Sequence, residues 1–443
     1  MQVNATTPLP RVEVSASGPD YLTSRAGTAL LSRLSDKLGL TEGLIAALRC
    51  HSRKVRHEPG GVVRDLAVML ADGGDALTDL GALRDQEVLF GPVASDATAY
   101  RCLERLDAAA LSRIRAARAA ARRRAWELAG APRRIILDID ATLLTAHSEK
   151  EGAAGTYKGG FGFHPLLCCE ATSGEALAGI LRPGNAGANT AADHVALLEA
   201  ALAQLPEGAA GRGALVRCDS AGATHDFLDA VVARGLSFSV GCDLTERVRA
   251  ALLALPESAW LPALDASGDL REGAWVAELP LELSTWPEGT RAICRRERPH
   301  PGAQLTFSDA GGHRFQVMLT NQKGSRLARL EQVHRQRAAI EDAIRCAKAS
   351  GLRNLPFRAY AMNAAWLELV LCGCDLLAWT RRLLLVGTRL AACEPKRLRY
   401  RLLHAAGRIV RHARSVRLRL SRSWPWGPVL VIAFARLKAL PSG

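Results

Sequence analysis

Between residues 22 and 130 apolar positions recur at helical spacing, in 30–38, 40–48, 62–70 and 103–126, which predicts a helical N-terminal region. Ser95 and Asp96 supply an N-cap signal ahead of 97–106, which carries Thr98, Tyr100, Arg101 and Arg105. That segment fits a helix-turn-helix recognition helix and an ordinary amphipathic helix equally well. Arg113, Arg115, Arg118, Arg122, Arg123 and Arg124 then fall among alanines, predicting a basic helix near a polyanion. At Arg133 the period changes to two. Ile135, Leu137, Ile139 and Ala141 alternate with Ile136, Asp138, Asp140 and Thr142, so both acids project from one face of a strand.

Two more strand-like runs, 163–169 and 175–181, flank the turn residues Ser173 and Gly174, and a helix is predicted over 190–205. A short buried strand over 214–218 ends at Asp219, followed by a helix over 225–234 and a strand over 236–240. Three strands as a meander, then helix, strand, helix and strand is the order of an RNase H-like fold. From 245 to 330 the pattern is strand-rich, with runs at 275–283, 291–295, 304–307 and 315–319 that read as a β insertion. A long amphipathic helix is predicted over 327–349, and 356–443 reads as mostly helical. The fold class is therefore α/β. It comprises a helical N-terminal DNA-binding domain (1–130, with a loose leader to about residue 20) and an RNase H-like core (131–244 with 327–355). A β-rich insertion (245–326) and a basic helical C-terminal region (356–443) complete it.

Charge sharpens this picture. The chain of 443 residues carries a formal charge of +14. From Arg381 onward there are 15 Lys and Arg against one acid, Glu394, so the surplus of the whole chain equals that of its last segment. A basic surface of this kind steers phosphate and gains from counterion release, and duplex DNA is favoured over an anionic membrane as its partner. The most apolar run, 366–379, is broken by Glu368 and Asp375 and is too short for a span, so it reads as a buried helix. The first twenty residues lack the basic and apolar regions of a signal peptide, which makes the cytoplasm the expected compartment. Eleven cysteines without a C-x-x-C pair predict reduced, packing thiols and no zinc site.

The candidate chemistry is carboxylate chemistry. Cleavage and transfer of phosphodiesters can be run by two divalent ions about 4 Å apart, held by acids that converge from distant segments. Asp140 on one strand and Asp219 at the end of its expected neighbour meet that requirement, with Asp138 as an alternative first ligand. On a helix of about 100° per residue, His334, Arg337, Glu341, Arg345 and Lys348 fall within an arc of about 80°. Val333, Ile340, Ile344 and Ala347 lie beside that arc, so the helix can bury them and aim Glu341 at the metals. The same stripe is compatible with a surface ladder in which Arg337 and Arg345 pair with Glu341.

His334-x-x-Arg337-x-x-x-Glu341-x-x-x-x-x-x-Lys348 resembles the Y-R-E-K signature of prokaryotic insertion-sequence DDE transposases, with His in place of Tyr. The run 137–142, Leu-Asp-Ile-Asp-Ala-Thr, is similar to their first-aspartate strand, and Arg217-Cys218-Asp219-Ser220 to their second-aspartate motif. The resemblance covers 133–351. It implies an RNase H-like core with a β insertion, Mg²⁺ ions for which Mn²⁺ substitutes, and cut-and-paste DNA transposition by a homodimer on terminal inverted repeats. Carried over residue by residue, it implies metal ligation by Asp140, Asp219 and Glu341, with the Asp-x-Thr context favouring Asp140 over Asp138. It also implies DNA contacts from Arg337 and Lys348. His334 and Arg345 join them as candidates on the same stripe, and action at the bacterial nucleoid follows. Relatives stack an insertion-domain tryptophan on an extruded base; Trp286 is the first candidate here and Trp275 the second, against a plain core role for both.

Overall fold

The computed structural model describes residues 21–49, 56–147, 149–211, 213–299, 302, 304, 309–412 and 415–441. The leader and most of the strand expected at 304–307 lie outside them.

In the N-terminal region Ser95 caps the Asp96–Glu104 helix by accepting from Thr98 N at 3.4 Å, as its sequence signal predicts. Asp107 caps the following helix α1 (Ala108–Ala129) by accepting from Ala110 N at 2.7 Å. The basic character of α1 is divided: Arg113 and Arg123 are exposed and Arg115 and Arg124 half-buried, while its other two arginines turn inward. Arg118 and Arg122 are fully buried, and their partners come from three other segments.

The alternation after Arg133 becomes strand β1 (Ile136–Ala141), which pairs with β2 (Leu166–Glu170) and, through it, β3 (Glu175–Ile180) as an antiparallel meander. On its other edge β1 pairs in parallel with β4 (Leu215–Cys218), and β4 in parallel with β5 (Ser237–Cys242). Parallel neighbours need crossovers, and helices α2 (Ala191–Leu202) and α3 (His225–Ala233) occupy them.

The insertion does not stand apart. Its strands β6 (Leu261–Leu264), β7 (Leu270–Leu279), β8 (Arg291–Glu297) and β9 (His313–Thr320) join the same sheet, because β9 pairs antiparallel with β5. The sheet of ten strands therefore runs β6-β7-β8-β9-β5-β4-β1-β2-β3, with the short Asp309–Ala310 strand paired beside β9. The first long insertion strand begins at Leu270, five residues before the apolar run that announced it.

The helix expected over 327–349 is interrupted. Helix α4 (Leu327–Arg335) gives way to a 3₁₀ turn over Gln336–Ala338 before α5 (Ala339–Ala347) resumes. The turn lets each half dock separately. Leu327 and Leu330 of α4 cover Ala263, Ala274, Val276, Ile293 and Met318 of the insertion strands, while Ile340, Ile344 and Ala347 of α5 join the main core.

Helix α6 (Tyr360–Trp379), with its continuation to Leu384, is apolar and long enough by composition to cross a membrane, yet most of it is enclosed by the protein. Glu368 and Asp375, the acids that interrupt its apolar run, are the partners of α1. Arg118 donates to Glu368 and, at 2.9 Å, to Asp375; Arg122 donates to Asp375 at 2.6 Å and to Glu175 of β3 at 2.8 Å. Trp126 Nε1 closes the group on Glu175 at 2.9 Å. The arginine run of α1 was expected to face a polyanion. Its two most buried members instead neutralise acids that the apolar helix and the sheet bring inside.

The C-terminal region is less helical than its composition suggests. Strands β10 (Gly407–His412) and β11 (Ser415–Leu420) form a hairpin, and Leu22–Thr23 adds a third strand beside β10, so the two ends of the chain share one sheet.

Candidate active site

The parallel pairing of β1 with β4 sets Asp138 opposite Arg217. Paired residues share a face and side chains alternate with period two, so two residues further along Asp140 comes beside Asp219, just beyond the end of β4. The strand β5 passes the same point. A Cβ on Gly241 would lie 2.8 Å from Ser220 N and 3.1 Å from Asp219 C, so only glycine lets β5 run this close to the turn that carries Asp219.

The two acids of β1 have different fates. Asp138 is buried and held by both arms of Arg217, Nε on Oδ1 at 2.6 Å and Nη2 on Oδ2 at 2.7 Å. Burial pushes its carboxyl up and the Arg217 charge opposes the shift. Asp140 is half-buried with no such clamp. Burial and then the neighbouring Asp219 raise its carboxyl above the usual range, and Arg337, whose Nη1 lies 3.2 Å from Oδ2, partly offsets both. Asp219 Oδ1 accepts from Ala221 N at 3.1 Å, which fixes the acid at the head of its turn.

Glu341 and Asp219 line one cavity of about 670 Å³, together with Arg295, Glu331, His334 and Arg337. Glu341 is exposed and makes no hydrogen bond or ion pair among the described residues. The surface ladder allowed by the sequence does not form through it: Arg337 turns to Asp140, and Arg345 pairs with Asp342 at 2.9 Å and Glu394 at 2.6 Å. Lys348 Nζ donates to Leu143 O at 3.1 Å, just past β1. The His334 ring is half-buried in the cavity wall, with Nδ1 2.9 Å from Ser239 Oγ, and burial and the adjacent Arg337 lower its pKa to about 3, so it is neutral. Trp286 is half-buried and stacks on His225 of α3 with ring centroids 4.0 Å apart. Trp275 packs against the Arg296 guanidinium at 4.9 Å, which Trp260 covers from 4.4 Å.

The donors suit a hard divalent cation, since Asp140, Asp219 and Glu341 offer only carboxylate oxygen. Among the described residues no three His, Cys, Asp or Glu side chains are gathered as a metal-holding group. Asp140 and Asp219 are neighbours, and Glu341 faces the same cavity from α5 without closing on them. The Asp219 charge raises the Asp140 carboxyl, and the Arg337 guanidinium beside it acts in the opposite direction.

The family model for the transposase DDE domain, group 1, matches residues 5–442. The chain belongs to that family. It is a DDE transposase, DNA is its substrate, and divalent ions serve the phosphodiester chemistry of the family. Among solved structures, the transposase is similar to piggyBac transposase in a cryo-EM synaptic complex with hairpin DNA, at 11% identity and a TM-score of 0.45. That match covers 86% of this chain and 80% of the other. No curated protein matches it.

Sequence reasoning missed one group in the transposase that organises the rest. Besides clamping Asp138, Arg217 donates to Val333 O of α4, tying the sheet to the helix pair that carries Glu341. The signal was present, as an arginine inside a four-residue strand that is otherwise apolar.

Proposed function

We propose that the chain is an insertion-sequence transposase that binds terminal inverted repeats and carries out metal-dependent cleavage and strand transfer, with Asp140, Asp219 and Glu341 as the metal-holding acids. The juxtaposition of Asp140 and Asp219 at the C-terminal ends of adjacent parallel strands carries this reading. Two acids whose repulsion raises one pKa, beside a cavity lined by Arg295 and Arg337, form a site that takes cations and then phosphate. The order β3-β2-β1-β4-β5, with three antiparallel strands and two parallel ones, supports an RNase H-like core. We divide the chain as its pattern suggests, at about 130, 244, 326 and 355.

Bound Mg²⁺, or Mn²⁺ in its place, would activate the attacking oxygen and stabilise the leaving one. The protein's part is positional. Arg337 is held at Asp140 and is placed to move to a DNA phosphate once cations occupy the acids. Lys348 and Arg345 extend the cationic edge of the same helix, and neutral His334 supports Ser239 and the cavity wall. Trp286, beside α3, is the stacking candidate for an extruded base. We further place the protein as a homodimer in its synaptic complex, acting on DNA in the bacterial cytoplasm at the nucleoid.

Incubating the purified protein with Mg²⁺, a labelled inverted-repeat end and a target plasmid should give joined product. Cleavage without joining would make it a nuclease or resolvase. Asp138→Asn distinguishes the two acids of β1. It should cost about 3 kcal/mol in urea denaturation, because Arg217 loses its charged partner. The folded variant should keep cleavage within about tenfold. A folded Asp138→Asn protein without cleavage would return Asp138 to the ligand set.

A further inference from the structure

The C-terminal hairpin carries two cations, Arg417 and Arg419, that no acid among the described residues answers. Cross-strand pairing puts Ile409 opposite Leu418 and Arg408 opposite Arg419, and Val410 opposite Arg417. Partners share a face, so the ribbon is sided. Ile409 is buried, and Leu418 and Leu420 pack on the core from the inner face. The outer face presents Arg408, Arg417 and Arg419, all exposed. Neither the Arg417 nor the Arg419 guanidinium makes an ion pair or hydrogen bond among the described residues. The one acid beyond Arg381, Glu394, is already held by Arg345 at 2.6 Å and Arg397 at 3.5 Å.

We propose that this outer face is a duplex-DNA contact, a two-stranded ribbon whose Arg417 and Arg419 bind the phosphate backbone. The proposal rests on the transposase reading and adds to it a surface remote in sequence from the acids. Residues two apart on a strand stand about 6.8 Å apart, the axial rise of two base-pair steps, so Arg417 and Arg419 can reach separate phosphates along one DNA strand. The major groove admits a two-stranded ribbon, so the hairpin can approach along it with both strands in reach of the backbone. Because the hairpin is pinned by its apolar face and by the Leu22–Thr23 strand, the arginines are presented on a stiff support.

The test uses the full chain and a random duplex of about 30 base pairs, with binding followed by fluorescence anisotropy between 50 and 200 mM salt. In Arg417→Ala/Arg419→Ala the slope of log affinity against log salt should become shallower by about 1.8, with affinity down about tenfold or more. Arg417→Lys/Arg419→Lys should restore the slope, and the melting temperature should not move in either variant. An unchanged slope in the folded alanine variant overturns the proposal. So does aggregation of that variant with full DNA affinity, because the arginines would then only guard an exposed sheet edge. Tighter binding of wild type to phosphatidylserine vesicles than to duplex also overturns it. Loss of all duplex binding in wild type would bring down the transposase reading itself, which separates the two failures.

Discussion

Transposase carrying Asp219→Ala or Glu341→Ala is expected to lose DNA cleavage by about a thousandfold or more, since each removes a charged oxygen ligand worth several kcal/mol of transition-state stabilisation. DNA binding should survive. Both acids line a cavity whose other walls carry Arg295 and Arg337, so deleting a negative charge leaves the site more attractive to phosphate. Asp140→Asn should pair the same loss of cleavage with a gain in stability. Folding raises the Asp140 pKa through burial and the Asp219 charge. A raised carboxyl favours folding only while protonated, and that contribution is lost as pH rises from the unfolded value of 3.8 through the folded one. At neutral pH the ionised Asp140 therefore works against folding, and the neutral amide relieves it. A melting temperature that falls in Asp140→Asn, together with retained cleavage, would remove Asp140 from the site.

The second large effect concerns the buried charges under α6. Asp375→Ala should destabilise the protein by about 3–5 kcal/mol in urea unfolding, because Arg118 and Arg122 lose the counterion they share and two buried cations are left with one acid each, Glu368 and Glu175. Asp375 also accepts from Ala176 N at 3.0 Å, so an edge of β3 loses a partner as well. Removing both signs together should cost less. In Arg118→Met/Glu368→Leu/Asp375→Leu, Arg122 keeps Glu175, and well-packed apolar groups replace a desolvated cluster. A triple variant weaker than Asp375→Ala would show that the network contributes more than its desolvation costs.

These two clusters mark where sequence reading succeeded and where it stopped. Alternation found β1 and placed Asp138 and Asp140 on one face, because period two is a local property. Which acid is clamped depends on Arg217, 79 residues away, and no pattern within β1 contains that information. The arginines of α1 and the acids of α6 each looked anomalous alone. Their separation of about 250 residues hid that they answer one another. The break at Gln336–Ala338 has no glycine or proline to announce it; it follows from α4 docking on the insertion strands while α5 docks on the main core. The C-terminal hairpin was legible in principle, since Val416, Leu418 and Leu420 alternate with Arg417 and Arg419, but the basic composition drew attention to charge instead of period. The β insertion was found as strands, while its continuity with β5 came only from pairing.

The pairing of Leu22 and Thr23 with Arg408 and Gly407 sets a timetable for synthesis. A chain emerging at about 5–20 residues per second leaves its first strand without a partner for roughly 20–80 s, until the hairpin near the other end has been made. The helical body at the N-terminus therefore closes late, after the sheet that carries Asp140 and Asp219 has been translated. A chain that stops between residues 341 and 407 carries all three acids and leaves that closing strand without its partner.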